Sequence, residues 1–580
     1  MTSRLRDCQA GEFLGERGVK QLAFLLLVLT FFSSLCAEEF KVASVIHPVV
    51  SKMSPPKATE AFRKGHMAVS TSSEKAAEHV AQGMARLNTS WDFEAYRHFC
   101  EAAKLDPDCL MAYWGITMSL AGSEHEFFEQ RQIAVNRMLD LLESEAANEG
   151  GRWTDIERGY VQGAGALLTE GARGAGVTFK AVSKRFPLDI QSKLFSLFLL
   201  RDGYDEFGKP LVGQLQTNAG LFEILKANPE NLSVMAFWVS SQSEAPLNGP
   251  SLRNDVLPIA RKLVRLHPDY PPFQLMLTHV ELRCGNAALA IQSALEAVKL
   301  YQAYMSLNKV SVFDCEGWVR SKLYLVNLYE TKGEHDKALA ISKELATVNV
   351  SKERLFSRGA GLLMWEGRTA GARIMMGQTD KASFYEGQKI LEILPEEEWY
   401  KKQSFALFYR DCLAFYLGVR IAVSVKDLEN GKVLYKNLIE RARALEGKQE
   451  LASKTSSYSS WLRATNTLGI AIAELRGMLA ELESGATKLS AKNWYIAAAD
   501  RQGRSANLLP YTIDYPMELR LGDFHFSQGD FKSAGKSFRE GLNVRPNHLQ
   551  TLRGYHKSLV KLGRVDDAAL LAKRIKAVAN

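Results

Sequence analysis

Arg553, Lys557 and Lys561 stand four residues apart, and side chains at that spacing share one face of an α-helix. Three cations on one face can select acidic peptides, acting by steering and by charge complementarity. The same stripe would equally serve as a solvated polar edge near the C-terminal end of the chain. Other chemistry is scarce. The sequence holds no GxSxG, P-loop, HExxH or GxGxxG opening a helix, so nucleophilic and nucleotide-binding signatures are missing. Its histidines include His548 with His556, and His98 beside Cys100; neither set supplies three convergent ligands, and no metal is expected. The cysteines (Cys8, Cys36, Cys100, Cys109, Cys284, Cys315 and Cys412) form no CxxC, CxxCH or zinc spacing. No cofactor and no disulfide framework is therefore expected, although one bridge between Cys100 and Cys109 is compatible with the spacing. Glu396-Glu397-Glu398 follows Pro395 and reads as the solvated first turn of a helix, where acids offset the helix dipole.

The elements that would carry the stripe are legible from a spacing used twice. Gly522, Ala534, Phe538, Gly541 and Pro546 repeat the intervals of Gly83, Ala95, Phe99, Ala102 and Pro107. A pair of antiparallel helices needs this order: small residues for close approach, an aromatic to fill the space, and a proline to end the second helix. A glycine five residues before an alanine marks the same phase at Gly285/Ala290, Gly333/Ala338, Gly529/Ala534 and Gly563/Ala568. The glycine suits the turn between helices and the alanine lies inside the next one. Gly529 and Gly563 are separated by the period of a tetratricopeptide repeat.

Thr154-Asp155-Ile156-Glu157 reads as a capping box, and Phe186-Pro187-Leu188-Asp189 as the break between two helices, the second burying Leu194, Phe195 and Leu199. Gln403–Val425 and Ser459–Glu483 predict helices too long for the regular unit, so the array is irregular in its middle. Trp114, Trp318, Trp365, Trp461 and Trp494 recur at helical positions and are expected mostly in the core. The division that follows is a lead-in or linker over 38–76, helical repeats over 77–345, irregular repeats over 346–510, and regular repeats over 511–580. The fold expected is all-α, an α-solenoid of roughly a dozen antiparallel helix pairs.

Residues 81–118, above all Gly83, Ser90-Trp91, Glu94-Ala95, Phe99, Ala102 and Asp106-Pro107-Asp108-Cys109-Leu110-Met111-Ala112-Tyr113-Trp114-Gly115, resemble the opening of a group of long bacterial tetratricopeptide-repeat proteins with no characterised activity. Glu157-Arg158 with Tyr160, Phe186-Pro187 through Leu200, and Pro516 to Leu562 are similar to the same group. The chain departs from it in carrying Asn88 where a histidine is usual before the tryptophan, and in lacking a His-rich stretch after about residue 300. The resemblance implies that the first helix of each pair lines a concave groove. Arg553, Lys557 and Lys561 then resemble the basic pair by which some such repeats clamp a peptide carboxylate, with Asp523 on the equivalent face of the preceding repeat where an asparagine is usual. His279 with Arg283, and Asn327, take the corresponding face of two central repeats.

Leu22 to Phe32 is an uncharged apolar run, preceded by Arg17 and Lys20 and followed by Ser33-Ser34-Leu35-Cys36-Ala37. That order is the layout of a secretory signal peptide over residues 1–37, and the run is short for a membrane span. Cys36 as a lipidated residue fits less well, because Leu35 stands where a small residue is needed; an uncleaved anchor through 22–32 is the alternative. The formal charge of +8 is spread along the chain without an Arg-rich block, which gives a nucleic-acid role little support. The reading is an exported, periplasmic or secreted scaffold that binds a protein or peptide partner without catalysis and keeps no stable membrane span once processed. A catalytic or small-ligand pocket in the irregular section 350–510 is the alternative. Intact-mass measurement of the protein from its native host should show loss of about 37 residues; a full-length chain retained in the cytoplasm would contradict the export reading.

Overall fold

The packing unit is an aromatic ring held where a helix carries no Cβ. In the computed structural model, a Cβ placed on Gly83 would lie 2.7 Å from Phe99 Cζ, and one on Gly522 would lie 2.5 Å from Phe538 Cε1. The first helix of the next pair closes the other side, because Gly115 and Gly554 face the same two rings at equally close range. Ala95 and Ala534 are fully buried where the two helices of a pair touch.

The structure describes residues 40–579 apart from 63–68, 122–126, 148–150, 206–208, 243–244, 246–251, 356, 394–404, 454–457, 484, 486–489 and 506–509. The segment expected as a signal peptide and the Glu396–Glu398 cluster lie outside the described residues. In chain order the main helices are α1 (Glu74–Leu87), α2 (Asp92–Leu105), α3 (Leu110–Ser119), α4 (Phe128–Ala147), α5 (Asp155–Arg185), α6 (Ile190–Leu199), α7 (Val212–Ala227) and α8 (Leu232–Ser241). They continue as α9 (Leu257–Leu266), α10 (Pro271–Arg283), α11 (Ala287–Asn308), α12 (Glu316–Lys332), α13 (His335–Thr347), α14 (Arg358–Leu362), α15 (Ala370–Met376) and α16 (Lys381–Leu391). The last are α17 (Ala406–Ser424), α18 (Leu428–Glu446), α19 (Tyr458–Leu482), α20 (Ala491–Ser505), α21 (Met517–Ser527), α22 (Phe531–Val544), α23 (Leu549–Lys561) and α24 (Val565–Ala579). Each packs chiefly on its neighbours in sequence, and no β-strand occurs among the described residues. The chain is an α-solenoid of antiparallel helix pairs.

The turn glycines Gly285, Gly333, Gly529 and Gly563 all hold φ between 71° and 77°, a conformation costly for residues with a Cβ. The α5 segment is broken at Gly171, with φ 75° and ψ −167°, so it is itself a helix pair. It contains a third copy of the packing spacing that the sequence reading passed over: Gly163, Ala175, Phe179, Val182 and Pro187. Phe179 is fully buried, and a Cβ on Gly163 would lie 2.5 Å from its Cζ. The copy is disguised because Val182 stands where the others have Ala102 or Gly541, and because the ring rests on Phe195 at 5.1 Å where the others meet a glycine. The capping box forms as expected: Thr154 caps the Glu157 amide, and the Glu157 carboxylate accepts from Thr154 N at 2.8 Å.

The lead-in is bound to the first repeats. Its Val45, Ile46, Val50 and Phe62 are buried, Tyr96 Oη donates to Val45 O at 2.8 Å, and Ser70 bonds the Glu157 carboxylate through its amide and hydroxyl. The middle is irregular: α14 runs into a π-helical turn at Leu363–Gly367, and α17 and α19 are long single helices. The five cysteines among the described residues are all buried free thiols, Cys100 and Cys109 included. Trp114, Trp318, Trp365 and Trp461 are core residues, while Trp494 is 38% exposed. No described helix is long and apolar enough to cross a membrane.

Coiling of the stack brings remote repeats together. Asn547 Nδ2 donates to Gly285 O at 2.7 Å, Arg358 pairs with Asp92 at 2.5 Å, and Asn88 Nδ2 donates to both Gln191 and Ser233 at 2.9 Å. Asn88 is thus a buried tie between three first helices or their turns.

Two glycines in α5 test the third copy. Gly163→Ala should cost about 1–3 kcal/mol by overpacking against Phe179. Gly165→Ala, which meets nothing within 4 Å, should be neutral or stabilise by up to about 1 kcal/mol through helix propensity. Urea unfolding of both variants measures this; equal stability would mean the register is wrong.

Candidate functional site

Helix α23 begins at Leu549, after Pro546 has ended the preceding pair and His548 has capped the Thr551 amide. Its buried side carries Leu552 and Leu559, which turns Arg553 and Lys557 outward. Together with Arg520 and Asp523 of α21, and with Gln378 and Gln550, they line a cleft of about 260 Å³. Arg553 and Lys557 are exposed, and neither has a hydrogen bond or ion pair among the described residues. Lys561 is not among the lining side chains; its ammonium lies 6.0 Å from the centre of the Phe531 ring.

The cleft floor is anchored by a buried pair. Arg520 Nε donates to Glu474 at 2.8 Å, and the same carboxylate accepts from Tyr416 and Tyr515 at 2.7 and 3.1 Å. A buried carboxylate is tolerated when it is this fully hydrogen-bonded. Asp523 lines the cleft as an exposed residue with protein packed around its carboxyl. The desolvation imposed by that surrounding protein pushes the carboxyl above the usual range, against the opposing pull of Arg520 and Lys557. The cleft therefore presents two uncommitted cations beside a weakened carboxylate. The sequence reading did not include Arg520, although its position three residues before Asp523 puts the two on one helix face.

The remaining candidates are distributed elsewhere on the first helices. His279 on α10 lines a second, larger space of about 540 Å³ inside the coil, and its Nδ1 is 2.8 Å from the Tyr324 hydroxyl. Arg283 is buried and donates to Ala245 O. Asn327 on α12 is buried and holds the connecting segment 510–516: its amide donates to Tyr511 O at 3.1 Å and to Asp514, and its oxygen accepts from Tyr511 N. Arg463 donates to Pro510 O, Arg373 to Thr512 O, and the Arg545 guanidinium stacks 3.3 Å from the Tyr511 ring centre. A non-helical, bent piece of the chain itself thus packs on these first helices. No repeat spacing announces that segment, because its contacts are all long-range.

No family model matches the chain, and no curated protein sequence matches it. Among solved structures it is similar to a human IFIT1 dimer with m7Gppp-AAAA, at 15% identity over 86% of this chain and 94% of that one, with a TM-score of 0.32. The Cut9–Hcn1 hetero-tetramer of the APC/C gives 14% identity, 87% and 79% coverage, and a TM-score of 0.31. The P58(IPK) TPR domain gives 11%, 84% and 99%, and 0.21.

Asp514, fully enclosed beneath Asn327, has its carboxyl raised from 3.8 to about 6, by burial first and then by the charge of Glu330. The native state thus holds this proton more tightly than the unfolded chain does. Stability contributed by the group is greatest below its unfolded value and falls as pH rises from about 4 to 6; above that, the ionised buried carboxylate is a standing cost of about 2–3 kcal/mol. Asp514→Asn should therefore raise stability at pH 7.5 and leave it nearly unchanged at pH 4.5. Denaturant titrations at the two pH values measure the difference, and equal effects would rule out the assigned shift.

Proposed function

We propose that the protein is an exported helical-repeat scaffold that binds an acidic protein or peptide segment in the cleft between α21 and α23, acting by binding rather than by catalysis. The observation that carries the reading is the pair Arg553 and Lys557, side by side on one face, exposed and uncommitted among the described residues. By contrast, Arg520 in the same cleft is spent internally on Glu474, and Arg463 on Glu366. A carboxylate entering the cleft meets two guanidinium or ammonium groups while leaving no native ion pair broken. Exposed pairs of this kind are each worth about 0.2–1 kcal/mol, so the cleft supplies selectivity and steering, and affinity must come from several contacts along an extended ligand. Asp523 limits that preference, since at neutral pH it faces the same cleft. Export rests on the order of residues 17–37 and belongs to the same proposal.

A peptide array probed with wild type and with Arg553→Glu/Lys557→Glu, each at low and high ionic strength, tests it. Wild type should select acidic peptides, lose them as the Debye length shrinks below about 10 Å, and bind them at least about tenfold better than the double variant. Identical selection by the two proteins would remove the cleft from consideration and leave these residues as a solvated cap.

A further inference from the structure

The larger space inside the coil has a different chemistry. It is bounded by first helices from both halves of the chain and by the turn before α2. About 540 Å³ in volume, it is of the size that encloses a small organic molecule. Its wall carries a chain of alternating charges: Asp92 with Arg358 at 2.5 Å, Glu316 with Arg320, and Glu366 with Arg463 at 2.8 Å. The links also run between pairs. Burial works to raise the Glu316 carboxyl, but Arg320 and Arg358 together outweigh it and hold it below the usual range. The Arg463–Glu366 pair is sealed, whereas Arg320 and Glu316 are 33% and 29% exposed and Arg358 and Asp92 are 35% and 24% exposed. That accessible area faces the interior space that these residues line.

Three features show that this wall is made to be covered. Tyr301 is 3% exposed and lines the space, and its hydroxyl has no hydrogen-bond partner among the described residues. Arg320 and Glu316 hydrogen-bond only each other among the described residues, so guanidinium N–H groups and one carboxylate oxygen remain for a ligand. Trp91 stands edge-on to Tyr301 at 5.7 Å, and with Tyr324 and Phe313 it offers flat apolar surface beside the charges. Gly317 makes room for the Tyr301 ring, since a Cβ there would collide with it.

We propose that this cavity binds a small zwitterionic molecule bearing an aromatic group, of the size of an amino acid or dipeptide. Positive and negative groups alternate and balance along the wall, so a ligand with a single charge would be desolvated without net compensation. A zwitterion lays its carboxylate against Arg320 and its ammonium against Glu316 or Asp92, while its ring packs on Trp91 and the Tyr301 hydroxyl finds an acceptor. The site is separate from the C-terminal cleft and stands or falls independently of it.

Isothermal titration of the full chain with L-tryptophan, tryptamine and indole-3-propionate tests the charge argument, because the three probes share a ring and differ in charge. Tryptophan should bind at least tenfold more tightly than either singly charged probe. Tyr301→Phe and the charge-neutral double change Glu316→Gln/Arg320→Gln should each weaken it at least tenfold. Circular dichroism melting of the variants accompanies the titrations, and Tyr301→Phe should melt no lower than wild type, since its hydroxyl holds nothing in the folded chain. Equal binding of the three probes, no binding of tryptophan at millimolar concentration, or tryptophan binding unchanged in both folded variants would overturn the assignment.

Discussion

The fold depends on one steric constraint: the phenyl ring of each regular second helix needs a neighbouring backbone with no side chain in the way. Phe99 is held between Gly83 and Gly115, and Phe538 between Gly522 and Gly554. A ring so enclosed contributes its full apolar area to stability and leaves the two helices one separation to adopt. Because each pair is placed on the next by the same contact, small rotations accumulate in one direction and the stack coils. Coiling then brings Asn547 to Gly285 and Arg358 to Asp92, contacts that no single repeat could specify.

That closure decides what the concave face can do. In an open solenoid the first helices would present their polar residues to solvent along the whole groove. Here Asn327, Arg373 and Arg463 are turned to the chain's own segment 510–516. Beside these contacts lie a larger space lined by balanced ion pairs and a C-terminal cleft with two uncommitted cations. The two sites have opposite electrostatic character, which follows from position in the coil: groups facing inward must be paired to be buried, whereas groups on the last turn of the stack remain in water.

The repeat period and its phase were legible because they are local. Spacing between glycine, alanine, phenylalanine and proline identified the helix pairs and assigned turns to glycines that do adopt positive φ. The third copy at Gly163–Pro187 was equally local, and it escaped only because a valine and a phenylalanine replaced small residues. What spacing could not supply was the surroundings of each side chain. His279, Arg283 and Asn327 all lie on first helices, yet one lines a cavity, one is buried against Ala245, and one binds a segment nearly two hundred residues away in sequence. Those outcomes are set by the return of the coil on itself, and the sequence carries that information only in the summed geometry of the repeats. Arg553 and Lys557 are simpler, since they share a face within one helix and no remote segment covers them.

The return of residues 510–516 onto the first helices is the long-range contact on which the coiled arrangement rests, and amide hydrogen exchange addresses it directly. Tyr511 N donates to Asn327 Oδ1 and Met517 N to Gln502 Oε1 at 2.6 Å, so these two amides should exchange as slowly as the central amides of α12. Exchange at the rate of an exposed loop would mean that the segment is not held on the first helices, and would contradict the coiled arrangement.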